Sequence, residues 1–466
     1  VTDVSLTAAE VAAVTAGRVV SGDGRERIER WSIDSRAVAP GEMFIAIRGE
    51  RFDGHEFTQA AFDRGAAGAV VETGRSGRVP SGRVAIEVSD TTRALQEVAR
   101  EVRRRSGAQV VAITGSAGKT TTKELTADFL SSRFSVFRNK GNLNNHIGLP
   151  LSLLEMRTRP DVAVVELGMN HAGEIRTLVG IAEPDVRVWT NVGDAHLGFF
   201  ESADRIADAK AEILEGARAS DRLIANADDE RIVSRIGTFA GRTVTFGLSD
   251  RAAVRASGVQ HRGLDGMAAL LTTPAGSVHV STPLLGIGNL LNLLAAAAVA
   301  AEFGVPLDEI ARRASEMKPA AHRGELLRMP GGITLIDDSY NSSPSALMRA
   351  LETVRASTGS ARKVAVLGEM LELGDHSIRL HEQCGRAAGE ASLDLLIAVG
   401  GDAASHLATA ARSAGMAETA VVYARTSEEA ADIALEKIRP GDLVLVKGSH
   451  GIHTDVVVDR LKVEFA

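Results

Sequence analysis

Residues 110 to 130 constrain this chain most. Val110-Val111-Ala112-Ile113 is an unbroken apolar run of the length of a buried strand. It leads straight into Thr114-Gly115-Ser116-Ala117-Gly118-Lys119-Thr120, and a helical pattern follows from Thr121 to Leu130. Strand, glycine-rich loop and helix in that order turn backbone N–H groups, and the positive end of a helix, toward a phosphate. Thr114, Gly115, Ser116, Ala117 and Gly118 then form the cradle. Lys119 neutralises the phosphates and Thr120 offers its hydroxyl to Mg²⁺. The usual loop has a glycine five residues before Gly118, but Ile113 stands there. The loop is a shortened one.

Such a loop belongs to an α/β fold, and the rest of the chain agrees. Apolar runs at Val162–Leu167, Val186–Val192 and Leu223–Asn226 alternate with helical segments. That predicts a mostly parallel sheet covered by helices. Leu290–Phe303 reads as an Ala/Leu-rich helix closing this region. Before it, short β-like runs (Arg27–Ile33, Met43–Ile47, Ala69–Val71, Val84–Val88) precede an amphipathic helix over Thr91–Arg105. Ser106-Gly107 makes a linker. After it, Ile333–Ile336, Val364–Leu367, Leu395–Val399, Val421–Tyr423 and Leu443–Val446 alternate with helices as a second α/β sheet. The chain has 466 residues; at about 150 per domain that is roughly three domains. The expected boundaries are 1–106, 107–320 and 321–466.

Composition excludes several functions. There are 53 Lys+Arg against 60 Asp+Glu, a net charge of -7, so no global basic surface awaits nucleic acid. Aromatic residues at 4% leave little for base stacking. The single cysteine, Cys384, permits no internal disulfide and fits a reducing compartment. Val1–Val20 does not read as a signal peptide, and the longest apolar stretch, Leu293–Ala301, is too short to span a bilayer. The expectation is a soluble, cytoplasmic, monomeric protein without membrane insertion.

Phosphoryl transfer needs a metal, and Mg²⁺ prefers oxygen. Glu166 ends a predicted strand, where ligands of parallel sheets gather. It is a metal ligand or a surface residue capping the helix near Gly173. His196 follows the next strand in a loop, as a ligand or an ordinary polar residue. Lys210 sits in the helical pattern Ala203–Glu215, and local sequence makes it a solvent-facing lysine. His171 is a proton acceptor or positioning residue, or a helix-start histidine bonding backbone.

Together these segments resemble the Mur ligase family, ATP-dependent amide-forming enzymes of bacterial cell-wall precursor synthesis. The resemblance runs along essentially the whole chain, in order. It implies a small N-terminal α/β uridine-nucleotide-binding domain, a central ATP-binding domain with the shortened P-loop, and a Rossmann-like α/β C-terminal domain. It implies two Mg²⁺ ions held by Thr120, Glu166, His196 and a carbamylated Lys210. It assigns Asn289, Asn292, Arg323 and Asp338 to ATP, and Asn341 and Lys447 to the amino-acid substrate. Without the resemblance, Arg323 is a linker arginine, Asp338 a strand-end turn residue and Lys447 a turn lysine.

Asp34-Ser35-Arg36, Gly49 and Asp53-Gly54-His55-Glu56-Phe57 resemble the uridine-diphosphate site shared by the late members, with Ser35, Arg36, Gly49, Asp53, Gly54 and His55 as contacts. Three segments resemble the last member. They are Asn142-Leu143-Asn144-Asn145-His146-Ile147-Gly148-Leu149-Pro150, Asp337-Asp338-Ser339-Tyr340-Asn341-Ser342-Ser343-Pro344, and Leu367-Gly368-Glu369-Met370-Leu371-Glu372-Leu373-Gly374. Asn142 and Asn144 are assigned with them to the uridine-linked substrate. The implied substrates are UDP-N-acetylmuramoyl-tripeptide and D-alanyl-D-alanine. No Asp-Asn-Pro-Arg segment of the diaminopimelate-adding neighbour is present. Gly288 stands where the family often has His, and His450 where Arg is usual. Alternatives are a diaminopimelate- or lysine-adding member, a folylpolyglutamate synthetase-like ligase, and a nucleotide-binding module without catalysis.

Overall fold

The computed structural model describes residues 3–49, 51–194 and 197–465. The chain divides into two compact units. One comprises 1–113, 133–187 and 215–221; the other comprises 114–132, 188–214 and 222–466.

The first unit opens with a five-stranded sheet. Arg18–Ser21 runs antiparallel to Val84–Val88, which continues in parallel to Gly68–Glu72, Met43–Ile45 and Trp31–Ser32. The predicted run Arg27–Ile33 is broken in two. Arg27–Ile28 pairs with Leu6–Thr7, and only Trp31–Ser32 joins the larger sheet. Phe44, Ala46, Ala69 and Val71 form a small core with Val38 and Ala61. Helix Thr91–Ser106 is capped by Asp90, whose carboxylate accepts from Arg93 N, and it stops at Gly107 with φ 75°. It buries Leu95, Val98 and Val102 along one stripe. Truncating such a leucine to alanine costs roughly 2–5 kcal/mol. Strand Val162–Glu166 lies parallel to Val136–Arg138 on one side and to the strand from Gln109 on the other. Glu166 is registered opposite Ile113, the residue before the loop.

The second unit holds the loop and helix Lys119–Leu130. Strands Arg222–Asn226, Arg242–Gly247 and Val254–His261 are parallel, but Met267–Thr273 and Gly276–Thr282 follow in antiparallel order. The sequence did not reveal this extension. Val254–His261 carries polar residues and Gly258, and it faces water over half its length. The Ala-rich helix begins at Gly286, four residues before its apolar run, and ends at Glu302. It packs on helix Lys119–Leu130 with Leu293–Ala300 buried; alanines allow close approach.

The same unit contains a six-stranded sheet. Its order is Glu325–Arg328, Thr334–Asp338, Asp442–Lys447, Arg362–Gly368, Leu395–Val399 and Val421–Ala424. All neighbours are parallel except the first pair. The inner strands are buried along most of their length, as helix-covered parallel strands are, whereas the edge strand Glu325–Arg328 is partly exposed.

Candidate active site

The shortened loop is braced from outside. Strand Val186–Trp189 stops before the expected Val192 because Thr190–Gly193 bonds to the loop instead. Ala117 N donates to Asn191 Oδ1 at 2.9 Å, and Asn191 Nδ2 donates to Ala117 O at 2.9 Å. Ser116 N donates to Asn191 O, and Gly193 N donates to Ser116 Oγ. Thr190 Oγ1 donates to Ala117 O at 3.1 Å. Two glycines are obligatory. Gly115 and Gly118 have φ of 155° and 80°, and a side chain on them would strike Thr190 Oγ1 and Asn292 Oδ1.

Asn292, 7% exposed, reaches the loop from the Ala-rich helix. Its Oδ1 accepts from Thr122 Oγ1, and its Nδ2 donates to Asn289 Oδ1 at 3.1 Å. Asn289 in turn donates to Leu285 O. The two asparagines thus form one rigid bracket behind the phosphate cradle. Thr114 is fully buried at the strand end, and Thr120 lies in the first turn of the helix.

Lys119 Nζ donates to Gly115 O at 2.9 Å, folded over its own loop. Lys210 corrects the local reading of a solvent-facing lysine. It is 1% exposed near the end of helix Ala203–Ala211. Burial, together with the Lys119 charge, pushes its pKa well below the ordinary lysine value. Among the described residues its Nζ makes no hydrogen bond or ion pair. Both influences favour the neutral amine more than water does for an exposed lysine.

Glu166 is 2% exposed, which removes the surface-cap alternative. Asn144 Nδ2 donates to Glu166 Oε1, and Glu166 N donates to Asn139 Oδ1 at 3.2 Å. Glu174, the first residue of the helix after Gly173, ties down the loop before it: its Oε2 accepts from Asn170 N and His171 N. His171 is exposed on this loop. His196 lies outside the described residues. Asn142 is exposed, and its carbonyl accepts from Asn144 N at 2.7 Å.

In the N-terminal sheet, Gly49, Asp53, Gly54 and His55 share one turn. Gly49 N donates to Phe52 O, and a Cβ on Gly54 would stand 2.7 Å from Ile47 O. His55 is an internal pin. Its Nδ1 donates to Asp53 Oδ1 at 2.6 Å, and its Nε2 accepts from Glu72 N at 2.9 Å. Arg48 and Arg75 approach Asp53, at 3.6 and 3.9 Å; sequence reasoning had passed over both. Arg36 forks onto Asp34 through Nε and Nη2, at 3.0 and 2.9 Å, and holds that carboxyl at about 2. Ser35 beside it is 9% exposed.

In the C-terminal sheet, the structure joins residues assigned to two ligands. Lys447 Nζ donates to Asp338 Oδ2 at 2.7 Å and to Asn341 O at 2.9 Å. The Arg323 guanidinium lies 4.0 Å over the Tyr340 ring, and Tyr340 stacks on His450 at 5.5 Å. Tyr340 and His450 therefore orient Arg323, a role that no local pattern announced.

Three family profiles match in series. "Mur ligase family, catalytic domain" covers residues 27–103, "Mur ligase middle domain" 113–300, and "Mur ligase, glutamate ligase domain" 322–450. UDP-N-acetylmuramoyl-tripeptide--D-alanyl-D-alanine ligase of Escherichia coli K12 is 35% identical over 402 residues, 85% of this chain and 86% of that protein. The chain belongs to the Mur ligase family. Solved members agree in fold. A crystal structure of MurF from Acinetobacter baumannii superposes with TM-score 0.88 at 32% identity, covering 99% of each chain. MurF from Thermotoga maritima in complex with ADP gives 0.81 at 28% identity, over 94% and 98%. As a Mur ligase, the chain is an ATP-dependent, ADP-forming amide ligase. Among the described residues, no helix is long and apolar enough to cross a membrane.

Proposed function

We propose that this Mur ligase joins D-alanyl-D-alanine to the tripeptide carboxyl of UDP-N-acetylmuramoyl-tripeptide, at the expense of ATP, in peptidoglycan precursor synthesis. One observation carries the reading: the whole-chain likeness to ligases named for that reaction. In this reading residues 1–106 bind the uridine nucleotide, 107–320 bind ATP, and 321–466 bind the dipeptide and complete the ATP site. In this reading the reaction is cytoplasmic.

A carboxylate acylates poorly. The tripeptide carboxylate oxygen therefore attacks the γ-phosphorus of ATP, releasing ADP and leaving an acyl phosphate. The free amine of D-alanyl-D-alanine then attacks the acyl carbon, phosphate departs, and the new amide loses a proton. The first step brings two anions together. Lys119, leaving Gly115 O, places its charge on the transferred phosphate, and the N–H groups of Gly115–Thr120 hold the rest. Arg323, steadied by Tyr340, takes a phosphate oxygen. Asp338, held in place by Lys447 Nζ, accepts from a ribose hydroxyl. His171, exposed on its loop, is the proposed proton acceptor for the second step.

The residues assigned to Mg²⁺ have the chemistry for it. Thr120 brings a hydroxyl and Glu166 a buried carboxylate fixed by Asn144. Lys210 fits once carbamylated: a buried amine with its proton affinity suppressed forms an N–C bond to CO₂, releases a proton to solvent and becomes an anionic oxygen donor. His196 completes the proposed set. When bound, Mg²⁺ supplies charge neutralisation between phosphate and acyl oxygens. Mass spectrometry of the product tests the reading. ATP, the tripeptide nucleotide and the dipeptide should give one new species heavier by the dipeptide less water. Its absence in complete mixtures refutes the assignment.

A further inference from the structure

Three glycines from the central segments each meet a residue of helix Pro344–Ala356. A Cβ on Gly193 would stand 3.2 Å from Ser345 Oγ, one on Gly288 3.3 Å from Arg349 Nε, and one on Gly286 2.9 Å from Thr353 Oγ1. Positions 345, 349 and 353 are four apart, so they share one helix face. Gly193 also borders the phosphate loop, with Ser116 Cβ 3.6 Å from the same built position. Gly288 directly precedes Asn289 of the bracket behind that loop. The stripe thus runs from the phosphate cradle to the head of the Ala-rich helix, with Arg349 at its centre.

Arg349 has no assigned role. It is half-buried, and among the described residues its guanidinium donates no hydrogen bond. Burial lowers its pKa, while the charges of Glu352, Asp194 and Asp338 oppose that shift. These charges favour the cationic form, and among the described residues none of the three carboxylates forms an ion pair with the guanidinium. They also set its preference. A guanidinium flanked by carboxylates is a weak site for another anion, but its flat face remains suited to a neutral aromatic ring. Gly288, lacking a side chain, leaves the room this guanidinium occupies.

We propose that Arg349 binds the purine ring of the nucleotide by stacking its guanidinium on the base. The proposal rests on the ATP-site reading of the loop above. It makes Arg349 a specificity residue supplied by the C-terminal sheet to a nucleotide whose phosphates are held elsewhere.

The test uses the full chain with Arg349→Ala, and Gly288→Ala as a second variant that crowds Arg349 Nε. In Arg349→Ala, ADP affinity by calorimetry and KM for ATP should each worsen about tenfold. KM for the uridine substrate and Tm should not change. Arg349→Lys, without the flat face, should recover little. Inorganic tripolyphosphate, which has no base, should compete with ATP equally well in wild type and variant. Unchanged ADP affinity, or equal losses for ADP and tripolyphosphate, overturns the base contact. Parallel rises in every KM with a lowered Tm also overturn it, by showing a packing role. If instead wild-type protein binds no ADP, the ATP-site reading itself fails, independently of Arg349.

Discussion

Asn191 grips Ala117 by both of its backbone polar groups, accepting from the N–H and donating to the carbonyl, each at 2.9 Å. The side-chain amide thereby stands in for a neighbouring strand at the middle of the shortened loop, just before Gly118. Asn191→Ala should raise KM for ATP roughly tenfold or more and reduce stability by about 1–3 kcal/mol, because the part-buried Ala117 N–H loses its partner and the Ala117 carbonyl keeps only Thr190 Oγ1. Asn191→Asp should do nearly the same, since it keeps the acceptor but loses the donor. Steady-state kinetics with thermal melting checks this. Wild-type KM in either variant would show that the brace does not shape the loop.

Lys210 gives a chemical prediction. Lys210→Ala should lose most activity, and a small carboxylate such as acetate should restore part of it by filling the vacated oxygen positions. Lys210→Arg should not be rescued, because its bulk and permanent charge remain. Normal activity of Lys210→Ala in CO₂-depleted buffer without added carboxylate would rule the carbamate out.

The phosphate loop was legible because strand, glycines and helix are contiguous, and local spacing carries the information. Lys210 was not. Nothing in Ala207-Asp208-Ala209-Lys210-Ala211-Glu212 distinguishes a buried lysine from an exposed one; the helix face it occupies is decided by tertiary packing. Asn191 and Tyr340 were missed for the same reason, since their partners lie 74 and 17 residues away. The parallel strands were read from their continuous apolar runs. The strands from Val254 to Thr282 were hidden because one face meets water and breaks such runs.

Arg36 should matter to one substrate only. It is exposed and clamped by Asp34, so its removal disturbs no core. Arg36→Ala should raise KM for the uridine-linked substrate about tenfold and leave KM for ATP within twofold, in keeping with a single lost charge-assisted contact. Equal changes in both would count against separate nucleotide sites.

His381 predicts how stability depends on pH. It is completely buried; Nδ1 donates to Ser377 O at 2.8 Å and Nε2 accepts from Met370 N at 2.9 Å. Burial lowers its pKa below the ordinary 6.5, outweighing the opposing pull of Ser377 O and Glu369, while His406 adds to the lowering. The folded state therefore binds this proton less readily than the unfolded chain. The resulting stability is present above about 6.5 and is lost as pH falls through the lower folded value. Tm should fall between pH 7.5 and 5.5 more steeply in wild type than in His381→Gln, which keeps an acceptor but does not titrate. Identical slopes would exclude His381 as the source.

The central claim is that a single site couples ATP cleavage to one amide bond. Phosphate release should be measured with ATP, UDP-N-acetylmuramoyl-tripeptide and D-alanyl-D-alanine, omitting each in turn, with Lys119→Ala as the control that removes charge at the transferred phosphate. The account predicts sustained release only in the complete mixture and a loss of at least a hundredfold in the variant. Equal release without the dipeptide or without the tripeptide nucleotide, or undiminished release by Lys119→Ala, would contradict it.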